Sequence, residues 1–340
     1  MRCSSSARAR LHLAAAICGW IWASPAPCAP AEDIGGGHLA VGQDRFFNQE
    51  YDLAVASFRH LADGAPQDPV GHLLLAKALI YQELERLGLI STSAFRGDAE
   101  FNDRDKPKPD EAAGRRIDAA LRVGERLCER ALDRDADDVA ALYSLARIHA
   151  LRANYEFMAK KAYFKALASG KRGRALSYRA GRLRPEFADA LLVAGINEYI
   201  VGSLPWAVRA VIALSGYRGS RKKGVAIIAR VAAEGTVNRD DARALLALLH
   251  RKEGRHLQAA RELESLASDF PRAYTYCLEA ATMHVAAGDK RTALDRFREV
   301  RRKQRSGQDR YDRMPRRMAD ALDRRIASLE EELAAEARRQ

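Results

Sequence analysis

The chain has 340 residues, 47% of them hydrophobic, with 57 Lys and Arg against 45 Asp and Glu, a net charge of +12. That length suits one long helical array or two ordinary domains, and the hydrophobic fraction is that of a folded protein. The basic excess is mostly arginine spread along helices, with no compact basic block and no aromatic-interleaved basic motif, which argues against a nucleic-acid partner.

Residues 1–31 read as a signal peptide. Arg2, Arg8 and Arg10 form a positive start, Leu11 to Ala23 is a short apolar run, and Ala29 and Ala31 supply the small residues of a cleavage site before Glu32. The run is too short to cross a bilayer, which takes about 20 residues. Cys18 follows Ile17 and Cys28 follows Pro27, neither of which suits a lipoprotein site. The expected product is exported, periplasmic or extracellular. It keeps Cys128 and Cys277, both at helical packing positions and read as small buried hydrophobes with no disulfide indicated.

The region 32–300 reads as helix pairs. Gly42, Ala54, Phe58, Leu61 and Pro66 mark a first unit, with a second helix over Asp52 to Leu61 and a further helix over Val70 to Leu87. Residues 91–110 are polar, carry two prolines and lack helical period, so they read as an insertion loop. Helix resumes at Glu111. The spacing predicts one extended helix through Tyr155, Met158, Tyr163, Phe164 and Leu167, punctuated by Gly170-Lys-Arg-Gly. Ile200 to Gly216 is apolar on every side apart from Arg209, and it is expected to be a core element enclosed by flanking helices. Within it, Arg209 is expected to stack on Trp206 and to meet Glu198 around the Ser203-Leu204-Pro205 turn.

Leu246, Ala247, His250, Gly254, Ala259, Leu263 and Leu266 recur 34 residues later as Ala280, Ala281, His284, Gly288, Ala293, Phe297 and Val300. A 34-residue period with small residues where helices meet is the signature of the tetratricopeptide repeat. The expected fold is therefore all-α, an α-solenoid of tetratricopeptide-like helix pairs. Residues 301–340 form a charged capping helix with Met318, Leu322, Ile326 and Leu329 on its apolar stripe.

Asn197-Glu-Tyr-Ile-Val-Gly-Ser-Leu-Pro-Trp, followed by Gly216-Tyr-Arg-Gly-Ser-Arg-Lys-Lys-Gly, resembles a signature of bacterial exported tetratricopeptide-repeat proteins. A similar arrangement occurs in the eukaryotic tetratricopeptide-repeat 39 family and its fungal inclusion-body-clearance relative. Ala150-Leu-Arg-Ala-Asn-Tyr-Glu fits the bacterial pattern too. The resemblance spans roughly residues 70–300 and implies a helical repeat protein. Its eukaryotic relatives are adaptor-like, some of them associated with membranes or lipid, and it brings no catalytic residues.

Catalytic elements are not expected. No Gly-x-Ser-x-Gly elbow occurs, and Gly35-Gly36-Gly37 follows no strand. His149, His250 and His284 share one repeat position, but equivalent helices lie a whole unit apart, so no metal is expected, and no cofactor. The leading reading is a non-catalytic scaffold that holds a protein or peptide partner in a concave groove. Tyr143, Arg147, Tyr199 and Arg251 fall on the groove face of first helices, and Tyr and Arg are the residue types that anchor interfaces, the competing reading being that Tyr143 and Tyr199 are core aromatics. Asn154, Tyr155, Glu198, Trp206 and Arg209 complete the candidate partner-binding set. The alternative is a membrane surface or lipid, contacted by residues 200–216 with Arg209, Arg218, Arg221, Lys222 and Lys223.

Overall fold

A computed structural model describes residues 36–90, 108–214 and 216–339. The signal segment and residues 91–107 of the insertion loop lie outside the described residues. The described residues are helical throughout, with no strand among them. They divide into two compact units: residues 36–46, 50–90 and 108–245, and residues 47–49 and 246–339.

The first unit opens with α1 (Gly36–Phe47), α2 (Tyr51–Gly64) and α3 (Pro69–Arg86). Gly42 has no room for a Cβ against the Phe58 ring, so the first-unit signature marks a real helix crossing. α3 begins with Pro69 at its first position, and the Asp68 carboxylate accepts from Val70 N at 2.9 Å. α4 (Glu111–Arg134) and α5 (Val139–Met158) start the same way on Asp110 and Asp138. α6 (Tyr163–Leu183) packs along α5.

The extended helix predicted through Tyr155 and Leu167 is two helices. It breaks at residues 159–162, where Lys161 adopts φ +55°. Conversely, Gly170 and Gly173 do not interrupt α6. A Cβ on Gly173 would lie 2.9 Å from Ala146 O, so that glycine is there to let α5 and α6 touch.

A 3-10 turn (Ala188–Leu191) leads into α7 (Leu192–Ser203), α8 (Trp206–Ala213) and α9 (Arg221–Glu234). α9 lies directly on α7, since a Cβ on Gly224 would meet Tyr199 N at 2.6 Å and Gly195 O at 2.7 Å. The buried Asp189 carboxylate secures residues 236–238 by accepting from Thr236 N, Val237 N and Asn238 N at 3.0, 3.1 and 2.6 Å.

α10 (Arg239–Lys252) precedes α11 (His256–Asp269), α12 (Tyr274–Ala286), α13 (Lys290–Ser306), a 3-10 turn (Gln308–Arg313) and α14 (Arg316–Ala337). Within the second unit the two matched segments behave alike. Gly254 and Gly288 both turn at positive φ, +73° and +85°. The carbonyls of His250 and His284 accept from Arg255 N and Asp289 N at 2.8 and 2.9 Å. Ala259 and Ala293 are fully buried. Replacing Ala259 with Phe is expected to overpack its contact and cost about 1–3 kcal/mol, read from urea unfolding. A neutral result would mean that this position does not set a helix crossing. α14 lays Leu322 and Leu329 into a cluster with Phe297 and Val300, and Met318 and Ile326 pack at its edge.

Candidate functional site

Of the nine candidate residues, Tyr143, Arg147, Asn154, Tyr155, Glu198 and Tyr199 are buried. Tyr143 packs edge-on to Phe187, and its hydroxyl accepts from Asn238 Nδ2 at 2.7 Å. Arg251 is half-buried and lies 3.4 Å from Glu279. A partner therefore does not reach Tyr143, Arg147 or Tyr199 in this conformation.

Arg147 belongs to an interior charge cluster. It is 1% exposed, and its guanidinium has no hydrogen-bond partner among the described residues beyond the Tyr143 ring face 5.2 Å away. Its charge acts on a neighbouring pair, Lys77 and Asp241, whose Nζ and Oδ1 are 3.5 Å apart. Lys77 Nζ also sits 3.6 Å above the Phe46 ring. Loss of hydration pulls the Lys77 ammonium down to about 7 and pushes the Asp241 carboxyl up to about 6.

The expectation that residues 200–216 form an enclosed core element fails beyond residue 205: Val201, Gly202, Ser203 and Pro205 are buried, but α8 is not. No residue of α8 is buried: Trp206 is 74% exposed, Val211 68% and the following Leu214 89%. Phe164 at the start of α6 is 88% exposed. The physical reason is that α8 covers a hollow. Val208 and Ile212, one helical turn apart, face a pocket of about 360 Å³ together with Ala153 and Phe157 of α5, Leu167 of α6 and Ile200 of α7.

The lining of this pocket carries no charged residue, and its polar members are few. Tyr217 donates its hydroxyl to Asn197 Oδ1 at 2.7 Å, and Asn197 Nδ2 donates to Val193 O at 2.9 Å. Asn154 is the exception. It is buried, and neither its Nδ2 nor its Oδ1 has a hydrogen-bond partner among the described residues.

Glu198 does not meet Arg209. Its carboxylate accepts from Tyr178 Oη at 2.6 Å, Arg174 Nη2 at 2.7 Å and Ser220 N at 2.9 Å, with Lys223 Nζ 3.5 Å away. Burial works to raise its pKa, but these donors and cations outweigh it and hold the carboxyl below the usual range. Arg209 is exposed and reaches Gly202 O at 3.4 Å. Arg174 is the nearer cation because α6 runs beside α7, a proximity that sequence distance does not reveal.

The stretch that supplies most of the pocket lining has a charge signature. Residues 157–233 hold 15 Lys and Arg and 3 Asp and Glu, an excess of 12 that equals the net charge of the whole chain. Residues 157–185 and 199–233 contain no carboxylate at all. Of the three acids between them, Asp189 and Glu198 are buried. The sequence carried this signal in plain form; averaging charge over the chain concealed it.

Cys128 and Cys277 are free among the described residues, and burial pushes the Cys128 thiol up to about 12. Burial also lowers the His149 imidazole to about 4, with Glu125 opposing. His284 lies between Glu264 and Asp289, 3.3 Å from each. Among the described residues, no group of three His, Cys, Asp or Glu is placed to hold a metal ion, and no helix is long and apolar enough to cross a membrane. In comparison with known proteins, no family model matches the chain and no curated protein matches it.

Proposed function

We propose that this chain is an exported, non-catalytic protein of tetratricopeptide-like helix pairs that docks on an anionic membrane surface through α8. The observation that carries this reading is the exposure of Trp206, Val211, Leu214 and Phe164 within the stretch that holds the chain's entire cationic excess. Exposed apolar side chains amid cations suit the membrane interface. Trp and aliphatic groups enter the boundary of the acyl region while Arg and Lys meet anionic headgroups. The peptide-groove reading rests on Tyr143, Arg147 and Tyr199, which are buried here, so the lipid reading takes precedence.

Co-sedimentation with vesicles tests it. Vesicles of phosphatidylcholine with phosphatidylglycerol are expected to retain the protein, with binding that weakens as salt rises. Vesicles of phosphatidylcholine alone are expected to retain far less. Trp206→Ser combined with Leu214→Ser is expected to weaken binding at least about 100-fold, because burying each side chain contributes about 1.5–3 kcal/mol. Equal retention on both vesicle types, or a double variant that binds as well as the parent, would overturn the reading.

A further inference from the structure

The pocket beneath α8 shares Phe164 and Val211 with the exposed face, whereas Trp206 and Leu214 lie outside its lining. A surface contact alone needs only the outward side chains Trp206 and Leu214, yet the chain also maintains an apolar hollow on the inner side. At about 360 Å³ it sits near the lower end of the about 300–1,000 Å³ of ligand pockets. That is room for one hydrocarbon chain, not for a two-chain lipid.

Three features define the occupant. Val208, Ile212, Leu167, Ile200 and Phe157 give walls that suit an aliphatic chain. Asn154 contributes a buried amide with both donor and acceptor unpartnered, and leaving such groups unmade is expensive. No charged residue of either sign lines the pocket, but residues 157–233, which supply most of its lining, are strongly cationic, and their field favours an anionic ligand over a cationic one.

We infer that the pocket binds one free fatty acid, its chain between α5, α7 and α8 and its carboxylate accepting a hydrogen bond from Asn154 Nδ2. This goes beyond docking on a membrane, since the ligand is a single dissolved amphiphile taken inside the first unit.

Calorimetric titration of the full chain with dodecanoate and with dodecyltrimethylammonium, both below their micelle concentrations, tests the inference. Dodecanoate is expected to saturate at one molecule per chain and to bind at least tenfold more tightly than the cationic amphiphile. Asn154→Leu is expected to weaken dodecanoate at least tenfold while leaving the unliganded protein as stable as the parent or more so, because an unpartnered amide is removed. Ala153→Phe fills the hollow and is expected to abolish uptake. Leu214→Ser, which lies outside the lining, is expected to leave dodecanoate binding unchanged while weakening vesicle binding, so the two readings fail separately. Equal affinity for both amphiphiles, or an Asn154→Leu variant that binds dodecanoate like the parent, would overturn the assignment. So would an Ala153→Phe variant that unfolds like the parent and still takes up dodecanoate.

Discussion

At neutral pH Asp241→Asn is expected to leave the protein about 1–3 kcal/mol less stable than Lys77→Met, at the other end of the same ion pair. The asymmetry follows from the composition of the cluster. Lys77 and Arg147 are both buried, and Asp241 is the carboxylate whose charge acts on both. Removing Asp241 takes away the counter-charge facing Arg147, and Lys77, which burial already holds near 7, sheds its proton. Removing Lys77 leaves Asp241 opposed to Arg147, whose guanidinium meets the Tyr143 ring and has no hydrogen-bond partner among the described residues. Urea unfolding of the two variants decides the matter, and an equal or larger loss for Lys77→Met would contradict this account.

The same cluster sets a pH dependence. The unfolded chain holds the Lys77 proton up to the ordinary 10.5, the folded chain only to about 7. Between those values the unfolded state binds more protons, so this group makes stability rise with pH. Asp241 acts in the opposite sense: the folded chain holds its proton to about 6, against the ordinary 3.8, so stability falls as pH climbs through that window. Urea midpoints are therefore expected to dip between about 6 and 7, the Asp241→Asn variant losing the acid-side limb and the Lys77→Met variant the alkaline one. A flat profile in the parent protein would show that the pair is solvated.

Glu198→Ala is expected to cost about 1–3 kcal/mol, because it strands the part-buried Arg174 and several hydrogen-bond donors at once. Arg174, Tyr178 and the Ser220 amide all donate to this carboxylate, which ties the segment after α8 to α6 and α7. Since donors and cations hold the Glu198 carboxyl low, its stabilisation is complete above the ordinary carboxylate range and is lost as pH falls through its depressed value. Arg209→Ala, by contrast, removes an exposed side chain and is expected to stay within about 0.5 kcal/mol of the parent. A double-mutant cycle should show coupling between Glu198 and Arg174 and none between Glu198 and Arg209. Strong coupling in the second pair would restore the sequence-based expectation.

The sequence by itself determined that the described chain is helical and where its small-residue crossings fall. Ala259, Ala293, Gly254 and Gly288 were legible because helix contact and left-handed turns restrict residue type locally. The apolar stripe of α14 was legible for a similar reason, since periodicity of 3.6 is written in one segment. Tertiary structure alone decided which polar groups meet. Lys77 and Asp241 are 164 positions apart, and Glu198 meets Arg174 on the neighbouring helix α6 in preference to the sequence neighbour Arg209. It also decided that residues 200–216 lie partly in the open. An all-apolar segment satisfies either a core or an exposed face over a hollow, and hydropathy is the same in both cases. What separates them is the space that α5, α6 and α7 leave beneath α8, a volume that arises only when four segments are packed together.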